Sequence, residues 1–354
     1  MLTPNELYAG LPFLWQWQPL TDISDAAIVL AIAALLDYLI GDPWNWLHPV
    51  QIMGWGIQRY CRIVLKRWHQ PWVLKGLGIV LAIALPSLSG LAVWLMVLTA
   101  QHLHPILGIA IEAILLASCF AGRSLRRSAQ DVLKPLMAGD LAIARTQLSL
   151  YVGRDTANLS EPEILRAVLE TVTENATDGV IAPLFYAILG AFLPLGSAPF
   201  AMAYKASSTL DSMVGYREAP YTHLGWCSAR LEDALTWVPC RLNVLLLSLL
   251  SGKPRQVWQI CRRDAPQDPS PNAGWSECAY AAILGVQVGG ANQYKGVTKL
   301  KPLLGDATRP ITAQTIDQAM NMTRLSFLIW LGIALATLTI WSASYSTFRL
   351  DCTS

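Results

Sequence analysis

The sequence predicts an all-α polytopic membrane protein with about four transmembrane helices, one or two broken or re-entrant segments, and cytoplasmic helical and loop regions that carry polar motifs. Hydrophobic residues form 53% of the 354-residue chain and charged residues only 14%, against roughly 25% charged in a typical soluble domain. The formal net charge of +2 argues against nucleic acid as a partner. We therefore treat residues 1–354 as a single integral membrane domain.

Four apolar segments are predicted to cross the bilayer, and they occupy residues 26–40, 76–100, 106–122 and 325–348. The second and fourth contain no charged residue, whereas the first and third carry one acid each, Asp37 and Glu112. Lys and Arg are absent from the first 58 residues but cluster after the first and third segments. Because cytoplasmic connections are enriched in Lys and Arg, we expect a multi-pass protein of the cell (inner) membrane with cytoplasmic motif regions.

Two further apolar segments are interrupted or short. Residues 179–204 are uncharged but contain three prolines, which is typical of a broken or re-entrant helix. Residues 242–252 are fewer than the ~20 that a spanning helix needs. Either both segments cross the bilayer or neither does, because basic residues return to the same side afterwards. We favour the arrangement in which neither segment crosses, since it places the polar regions 123–178 and 253–324 together in the cytoplasm.

An acidic stripe runs along a predicted helix that begins near Ser160. Glu163, Glu170, Glu174 and Asp178 follow at intervals of seven, four and four residues, which places them on one helix face. Clustered carboxylates are costly unless they are solvated or bound to a cation such as Mg²⁺. The pattern alone leaves open both a solvated helix face and a cation site.

Two motifs combine acids with a basic or imidazole side chain. Asp37, Asp42 and His48 flank the predicted end of the first helix, where acids are inexpensive and can simply cap a terminus. Arg154 and Asp155 are adjacent. They either form a local ion pair or place the arginine to receive a phosphate or carboxylate.

Three later motifs are similarly open. Lys205 and Asp211 lie among small hydroxyl residues, which suits anion and metal binding but also a snorkelling lysine and a salt bridge. Glu232 and Asp233 lie between arginines and could form surface pairs of little energetic value. The turn at Asn272 is either a plain turn or a ligand contact.

The remaining polar stretches give weaker signals. The Pro-rich stretch 266–271 and the Gly-rich run 285–296 predict loops or strained turns. The chain contains no phosphate-binding P-loop, dinucleotide-binding Gly motif, nucleophile elbow or H-E-x-x-H motif. Several common chemistries are therefore excluded.

Six polar motifs occur in order along the chain: GDPWNWLHPV, VGRDTANLS, ETVTENATDGVIAPLFYAILG, YKASSTLDSMVGY, RLEDALTWVPCRL and SPNAGWSECAYAAILGVQVGG. Taken together, they resemble the motif series of the CobD/CbiB family of cobalamin-biosynthesis membrane proteins. The resemblance extends from about the first helix to the region of Tyr294. Six ordered motifs are far more specific than any single one.

The resemblance implies an adenosylcobinamide-phosphate synthase, a ligase that forms a carbon–nitrogen bond. Such a protein joins a propionate carboxylate of adenosylcobyric acid to (R)-1-aminopropan-2-ol or its O-phosphate. The family activity is described as ATP-dependent, so ATP and Mg²⁺ are expected and no prosthetic group is. The expected partners are the corrinoid and aminopropanol substrates, membrane lipid and other enzymes of the cobalamin pathway.

The family motifs also suggest residue roles. Glu174, Asp178 and Asp211 are candidate Mg²⁺ ligands and catalytic residues. The other candidate catalytic residues are Lys205, which could stabilise phosphoryl charge together with Arg154, and Glu232 or Asp233, which could accept the proton of the attacking ammonium. The candidate substrate-binding residues are Asp42, His48, Arg154, Asp155, Asn175, Thr209, Ser212, Asn272 and Gly274.

The chain departs from the expected family pattern at four positions. Glu232 replaces an expected Asp, Ser208 and Thr236 replace expected Asn residues, and Asp268 replaces a His. The first change keeps the carboxylate, whereas the other three positions are given no direct catalytic role. The rival hypothesis is a non-catalytic membrane subunit that binds, transports or scaffolds corrinoids, because broken helices with buried polar residues also occur in transporters.

Overall fold

The computed structural model describes residues 23–41 and 48–351. Thirteen α-helices, which we number α1 to α13, dominate this part of the chain. Their bounds are Ile23–Leu39, Pro49–Arg67, Pro71–Leu103, Pro105–Ala117, Gly122–Met137, Leu141–Leu148, Glu161–Asn175, Ala182–Ala191, Ser197–Val214, Trp226–Leu250, Pro254–Asp264, Ala273–Leu284 and Ala313–Asp351. A π-helix, Ala176–Ile181, joins α7 to α8, and a short 3₁₀ helix, Ala265–Gln267, follows α11.

Four helical segments within the described residues are long and apolar enough to cross a membrane: Pro71–Leu103, Pro105–Met137, Trp226–Leu250 and Ala313–Ser344. The predicted all-α polytopic class is therefore confirmed. Three of the four segments contain or overlap a predicted span. The fourth is α10, which contains most of the uncertain segment 242–252, whereas the predicted span at 26–40 corresponds to the 17-residue α1. Which of these helices cross the bilayer stays a prediction.

The apolar segment 179–204 is broken, and a distant carboxylate supports its second half. Helix α8 ends before a turn that closes at Gly196, whose φ of +87° suits a residue without a Cβ. Helix α9 then begins at Ser197. The buried Glu112 accepts hydrogen bonds from the backbone nitrogens of Ser197 (2.8 Å) and Ala198 (3.3 Å). A glutamate of the third apolar segment thus accepts from two buried backbone donors that have no partner within this helix start.

A two-stranded antiparallel hairpin replaces the loop expected at 285–296. Strand β1 is Val288–Tyr294 and strand β2 is Val297–Leu304, with Tyr294 opposite Val297 at the turn. Gly289 has a φ of +93°, and a Cβ there would lie 2.0 Å from the carbonyl oxygen of Pro302. The glycine that suggested a loop is therefore needed for the close approach of the two strands.

The buried hydrophobic residues form three clusters. The largest joins α5 to α7 with α10 to α13 and the base of the hairpin. The second joins parts of α1 to α4 with α8, α9 and the central part of α13, and the third joins α2, α3 and α9. Helix α9 contributes residues to the second and third clusters. Helix α10 contributes residues to the first cluster and packs against the third. The polar side chains of these two helices are therefore held in place by packed neighbours.

Replacing Glu112 with Ala is predicted to destabilise the protein by about 1–3 kcal/mol, because two buried backbone donors lose their acceptor. Glu112→Gln keeps an oxygen at this position and is expected to retain most of the stability. Thermal unfolding of the purified protein in detergent, followed by tryptophan fluorescence, measures both variants. Equal melting temperatures for wild type and Glu112→Ala would show that this contact does not support α9.

Candidate functional site

Four carboxylates from four elements of the fold lie within electrostatic range of one another. They are Glu174 at the end of α7, Asp178 in the π-helix, Asp211 in α9 and Glu232 in α10, and we call them the acidic cluster. Burial, followed by the charges of the other three carboxylates, raises the pKa of Asp178 well above its usual range, and only Lys205 opposes this shift among the main causes. Burial and neighbouring carboxylates also raise the pKa of Asp211 to about 6.

The π-helix sets the position of Asp178. The wider turn adds a residue relative to a regular α-helix, and such turns are frequent at functional sites. It also brings Gly179 against the α4–α5 connection, where the nitrogen of Ala121 donates to the carbonyl oxygen of Gly179 at 2.9 Å. A Cβ on Gly179 would lie 3.3 Å from the Cβ of Ala121. The glycine after Asp178 thus allows the acidic cluster to pack tightly on a neighbouring helix pair.

Glu232 is fixed by hydroxyl groups on two helices. The hydroxyl of Thr236 hydrogen-bonds to the Glu232 carboxylate, and it also lies 2.8 Å from the hydroxyl of Tyr204. All three side chains are buried. Thr236, a departure from the expected family pattern, therefore orients the carboxylate. Asp233 is half-buried and points toward Arg230, with a nitrogen–oxygen distance of 4.0 Å.

Lys205 also lines a cationic cavity. Its volume is about 400 Å³, and its described lining includes His48, Arg123, Arg127 and Tyr151 together with Lys205. No carboxylate belongs to this described lining. Lys205 thus connects the acidic cluster to a space suited to a phosphate or carboxylate group.

Arg154 and Asp155 contact the hairpin. Arg154 pairs with the buried Glu170 and donates to the side-chain oxygen of Asn292 at 2.8 Å. Glu170 also accepts a hydrogen bond of 2.8 Å from the nitrogen of Gly289. Asp155 accepts hydrogen bonds from two backbone nitrogens of the hairpin turn, at 2.8 and 3.1 Å. Arg154 therefore forms an ion pair with Glu170 and not, as the local-pair interpretation predicted, with the adjacent Asp155. Its anion-binding role stays a prediction.

The half-buried Lys301 and the buried Glu277 form an ion pair that the sequence did not predict. The Lys301 ammonium lies 2.6 Å from the Glu277 carboxylate, whose side chain is fully buried. Burial works to lower the pKa of Lys301, but the charges of Glu277, Glu174 and Glu170 raise it on balance. Glu277 lies in the last of the six family motifs and is the one acid of the apolar helix α12. This isolated acid is the sequence signal that could have identified it. Lys301 lies beyond the region of resemblance, so nothing marked it.

Several candidate substrate-binding residues have internal partners. Asn272 is only 2% exposed, accepts a hydrogen bond of 2.7 Å from Arg241 and donates one of 2.9 Å to the carbonyl oxygen of Asp233. A Cβ on Gly274 would lie 2.6 Å from the Cβ of Asp268. These residues close the turn before α12 against α10, so their contacts favour the plain-turn interpretation.

The remaining candidates lie around Lys205 or at the surface. Thr209 is buried and donates to the carbonyl oxygen of Lys205 at 2.7 Å. Ser212 and Asn175 are exposed and bond to backbone oxygens of their own helices. Asp42 lies outside the described residues.

The donor set of the acidic cluster fits Mg²⁺ when a substrate completes the coordination. In the described part of the chain, no three His, Cys, Asp or Glu side chains converge to hold a metal ion by themselves. Mg²⁺ usually binds one or two carboxylates, several waters and the phosphates of its substrate. Any of Glu174, Asp178 and Asp211 could supply such a carboxylate, and their mutual repulsion favours a bound cation.

The fold and this site define an integral membrane protein of the helical, polytopic class that holds a cluster of buried and half-buried carboxylates and a basic cavity. A model of the CobD/Cbib protein family matches residues 30–323. The chain belongs to the CobD/CbiB family, and it acts in cobalamin biosynthesis.

Curated relatives agree with this assignment. The chain is 53% identical over 314 residues to the cobalamin biosynthesis protein CobD of Synechocystis sp., covering 88% of this chain and 92% of that protein. It is 44% identical over 296 residues to the cobalamin biosynthesis protein CbiB of Salmonella arizonae, covering 82% and 91%. It is 42% identical over 316 residues to the CobD of Halalkalibacterium halodurans, covering 86% and 95%. No solved structure matches the chain.

Replacing Lys301 with Met is predicted to destabilise the protein by about 3 kcal/mol, because it leaves Glu277 buried without its charge partner. Adding Glu277→Gln should restore most of the loss. The destabilisation should also grow as the pH rises above 4.5, the ordinary pKa of a Glu, since the unfolded chain then releases the Glu277 proton freely, whereas the folded variant must either keep that proton or bury an unpaired charge.

Chemical unfolding of the single and double variants at several pH values measures this coupling. A single variant as stable as wild type at neutral pH, or a double variant no better than the single one, would contradict the assigned pair.

Proposed function

We propose that the protein catalyses ATP-dependent formation of an amide between a propionate carboxylate of adenosylcobyric acid and (R)-1-aminopropan-2-ol or its O-phosphate. The product is adenosylcobinamide or its phosphate. The family assignment supports the corrinoid pathway. The observation that carries the reaction type is that Lys205 acts electrostatically on Asp178 of the acidic cluster and also lines the cationic cavity, because phosphoryl transfer needs a cation-binding carboxylate and a positively charged phosphate site together.

The chemistry requires activation of the carboxylate. A carboxylate and an ammonium do not condense readily in water, so the γ-phosphoryl group of ATP is first transferred to a propionate oxygen and ADP leaves. The amine then attacks the carbonyl carbon of this acyl phosphate, phosphate leaves and the amide forms. The amine must lose protons in this sequence, and the developing negative charge on the phosphoryl oxygens must be stabilised.

In the proposal, side chains of this protein stabilise the charge on the phosphoryl oxygens and remove a proton from the amine. Lys205, with Arg123 and Arg127 across the cavity, attracts and orients the phosphoryl oxygens. Glu174, Asp178 and Asp211 would hold Mg²⁺, which supplies charge neutralisation to the bound phosphates. Glu232, held in one orientation by Thr236, accepts a proton from the ammonium.

The proposal places the site on the cytoplasmic side of the cell membrane. ATP is a cytoplasmic substrate, and the basic residues that line the cavity lie in a connection that the bias of Lys and Arg assigns to the cytoplasm. The corrinoid, the aminopropanol and other enzymes of the pathway would meet the protein on this side.

Asp178→Asn is predicted to lower the rate of product formation by about 10²-fold or more, because it removes a charge from the centre of the acidic cluster. The assay incubates purified protein in detergent with adenosylcobyric acid, aminopropanol O-phosphate and Mg·ATP, and follows the corrinoid product by mass. Asp317→Asn is the matched control, since this aspartate is exposed on α13, and it should keep wild-type turnover.

The outcomes separate the proposal from its rival. Product that depends on ATP and is lost in Asp178→Asn supports the ligase. Absence of product from wild type and both variants, with tight corrinoid binding retained, would favour the non-catalytic corrinoid-binding subunit.

Asp211→Asn is predicted to raise the Mg²⁺ concentration needed for half-maximal turnover by about 10-fold, because one oxygen ligand is weakened. Removal of divalent cations by a chelator should stop the reaction of both proteins, and added Mg²⁺ should restore it. The same assay at graded Mg²⁺ concentrations measures this shift. Wild-type turnover at every Mg²⁺ concentration would remove Asp211 from the proposed metal site.

A further inference from the structure

We propose that the cleft between α1, α5 and α13 binds an anionic membrane phospholipid, with its phosphate among basic side chains and its acyl chains along apolar ones. The cleft has a volume of about 920 Å³ and is the larger of the two cavities described for this structure. It shares Arg123 and Arg127 with the cavity at Lys205, but none of the four carboxylates of the acidic cluster lines it. The proposal therefore does not depend on the amide-forming activity.

The cleft has one basic end. Its described lining includes five cationic side chains, Arg123, Arg126, Arg127, Lys134 and Arg324, but only two carboxylates, those of Asp37 and Asp131. Asp131 accepts a hydrogen bond of 2.9 Å from the hydroxyl of Tyr151, and this bond partly satisfies its carboxylate. The excess of positive charge suits a phosphodiester group.

Two contacts fix this basic end beside the end of α1. The guanidinium of Arg324 lies over the ring of Tyr38, 4.6 Å from the ring centroid. Arg123 donates a hydrogen bond of 2.8 Å to the carbonyl oxygen of Tyr38. Arginines from α5 and α13 are thus positioned around the same residue of α1.

The other end of the cleft is apolar. On α1 it is lined by Ala31, Ala34 and Leu35, and on α13 by Phe327, Leu328 and Leu331. Ala31 precedes Tyr38 by seven residues and Leu331 follows Arg324 by seven, which is a distance of about 10 Å along each helix. Because Tyr38 and Arg324 are in contact, both helices lead from the basic end to the apolar end. The lining is therefore amphipathic along its length.

The apolar end faces the surface that the bilayer would cover. Leu35 and Leu328 line the cleft and are 54% and 49% exposed, and α13 is one of the four helices long and apolar enough to span a membrane. A soluble anion would leave these leucines uncovered, whereas acyl chains would bury them. Basic pockets between transmembrane helices are a recognised mode of anionic headgroup binding.

The test is native mass spectrometry of the detergent-purified, delipidated full chain with added phosphatidylglycerol or phosphatidylcholine of the same acyl chains. Wild type is expected to bind the anionic lipid at least about 10-fold more tightly. The Arg126→Gln/Arg324→Gln double variant should lose this preference. These two arginines line this cleft and are not among the lining residues described for the cavity at Lys205.

The matched control is Arg59→Gln/Arg62→Gln, which removes the same charge from exposed positions on α2 and should keep the preference. Thermal unfolding of each variant confirms that it is folded, and added phosphatidylglycerol should raise the melting temperature of wild type and control but not of the cleft variant.

Three results would overturn the proposal. Equal binding of the two lipids by wild type would show no headgroup selection. An unchanged preference in the cleft variant would place the lipid elsewhere. Displacement of phosphatidylglycerol by glycerol phosphate or ATP at comparable concentrations, dependent on Arg126 and Arg324, would identify a soluble anion site.

Discussion

Burial of several carboxylates at one place is the constraint on which the rest of this structure depends. A charged carboxylate loses its hydration when it is buried, and neighbouring carboxylates add repulsion to that loss. Glu170 and Glu277 are compensated by fixed partners, Arg154 and Lys301 respectively. The hairpin supplies Lys301 directly and contacts Arg154 through Asn292. The hairpin is therefore part of the electrostatic support of α7 and α12, and its glycines serve its close fit against them.

The sequence predicted the parts of the fold that depend on local pattern. The uncharged runs indicated long apolar helices. The predicted stripe of Glu163, Glu170, Glu174 and Asp178 is divided in the structure, because Glu163 caps the start of α7, Glu170 pairs with Arg154, and Asp178 lies in the π-helix. Helix α10 escaped recognition as a long apolar helix because its first half carries charged residues such as Glu232, which confined the apolar signal to residues 242–252. Composition within a short window does not show that both halves form one continuous helix.

Contacts between distant segments explain what the sequence did not predict. Gly289 gave β1 the composition of a loop, and the strand is held by hydrogen bonds to α7 that no local propensity encodes. Arg154 matched an anion-binding motif, yet Glu170, sixteen residues away, is its partner. The ion pair of Lys301 and Glu277 likewise joins residues 24 positions apart. In each case the residue type allowed several roles, and contacts with residues distant in the sequence determined which contact is formed.

The acidic cluster differs from these compensated acids in how its charge is balanced. The charges of Lys301 and Arg154 attract Glu174, but each of these cations already has another carboxylate as its close partner. The main electrostatic neighbours of Asp178 are three carboxylates, which repel its charge, and Lys205, which attracts it. Lys205 in turn borders a cavity with two arginines and no carboxylate in its described lining. Negative charge is thus in excess in the acidic cluster, and positive charge is in excess in the cavity that Lys205 lines. A divalent cation and a phosphate group bound together would neutralise both places at once, which is why a metal–nucleotide complex is the ligand that the proposed function requires here.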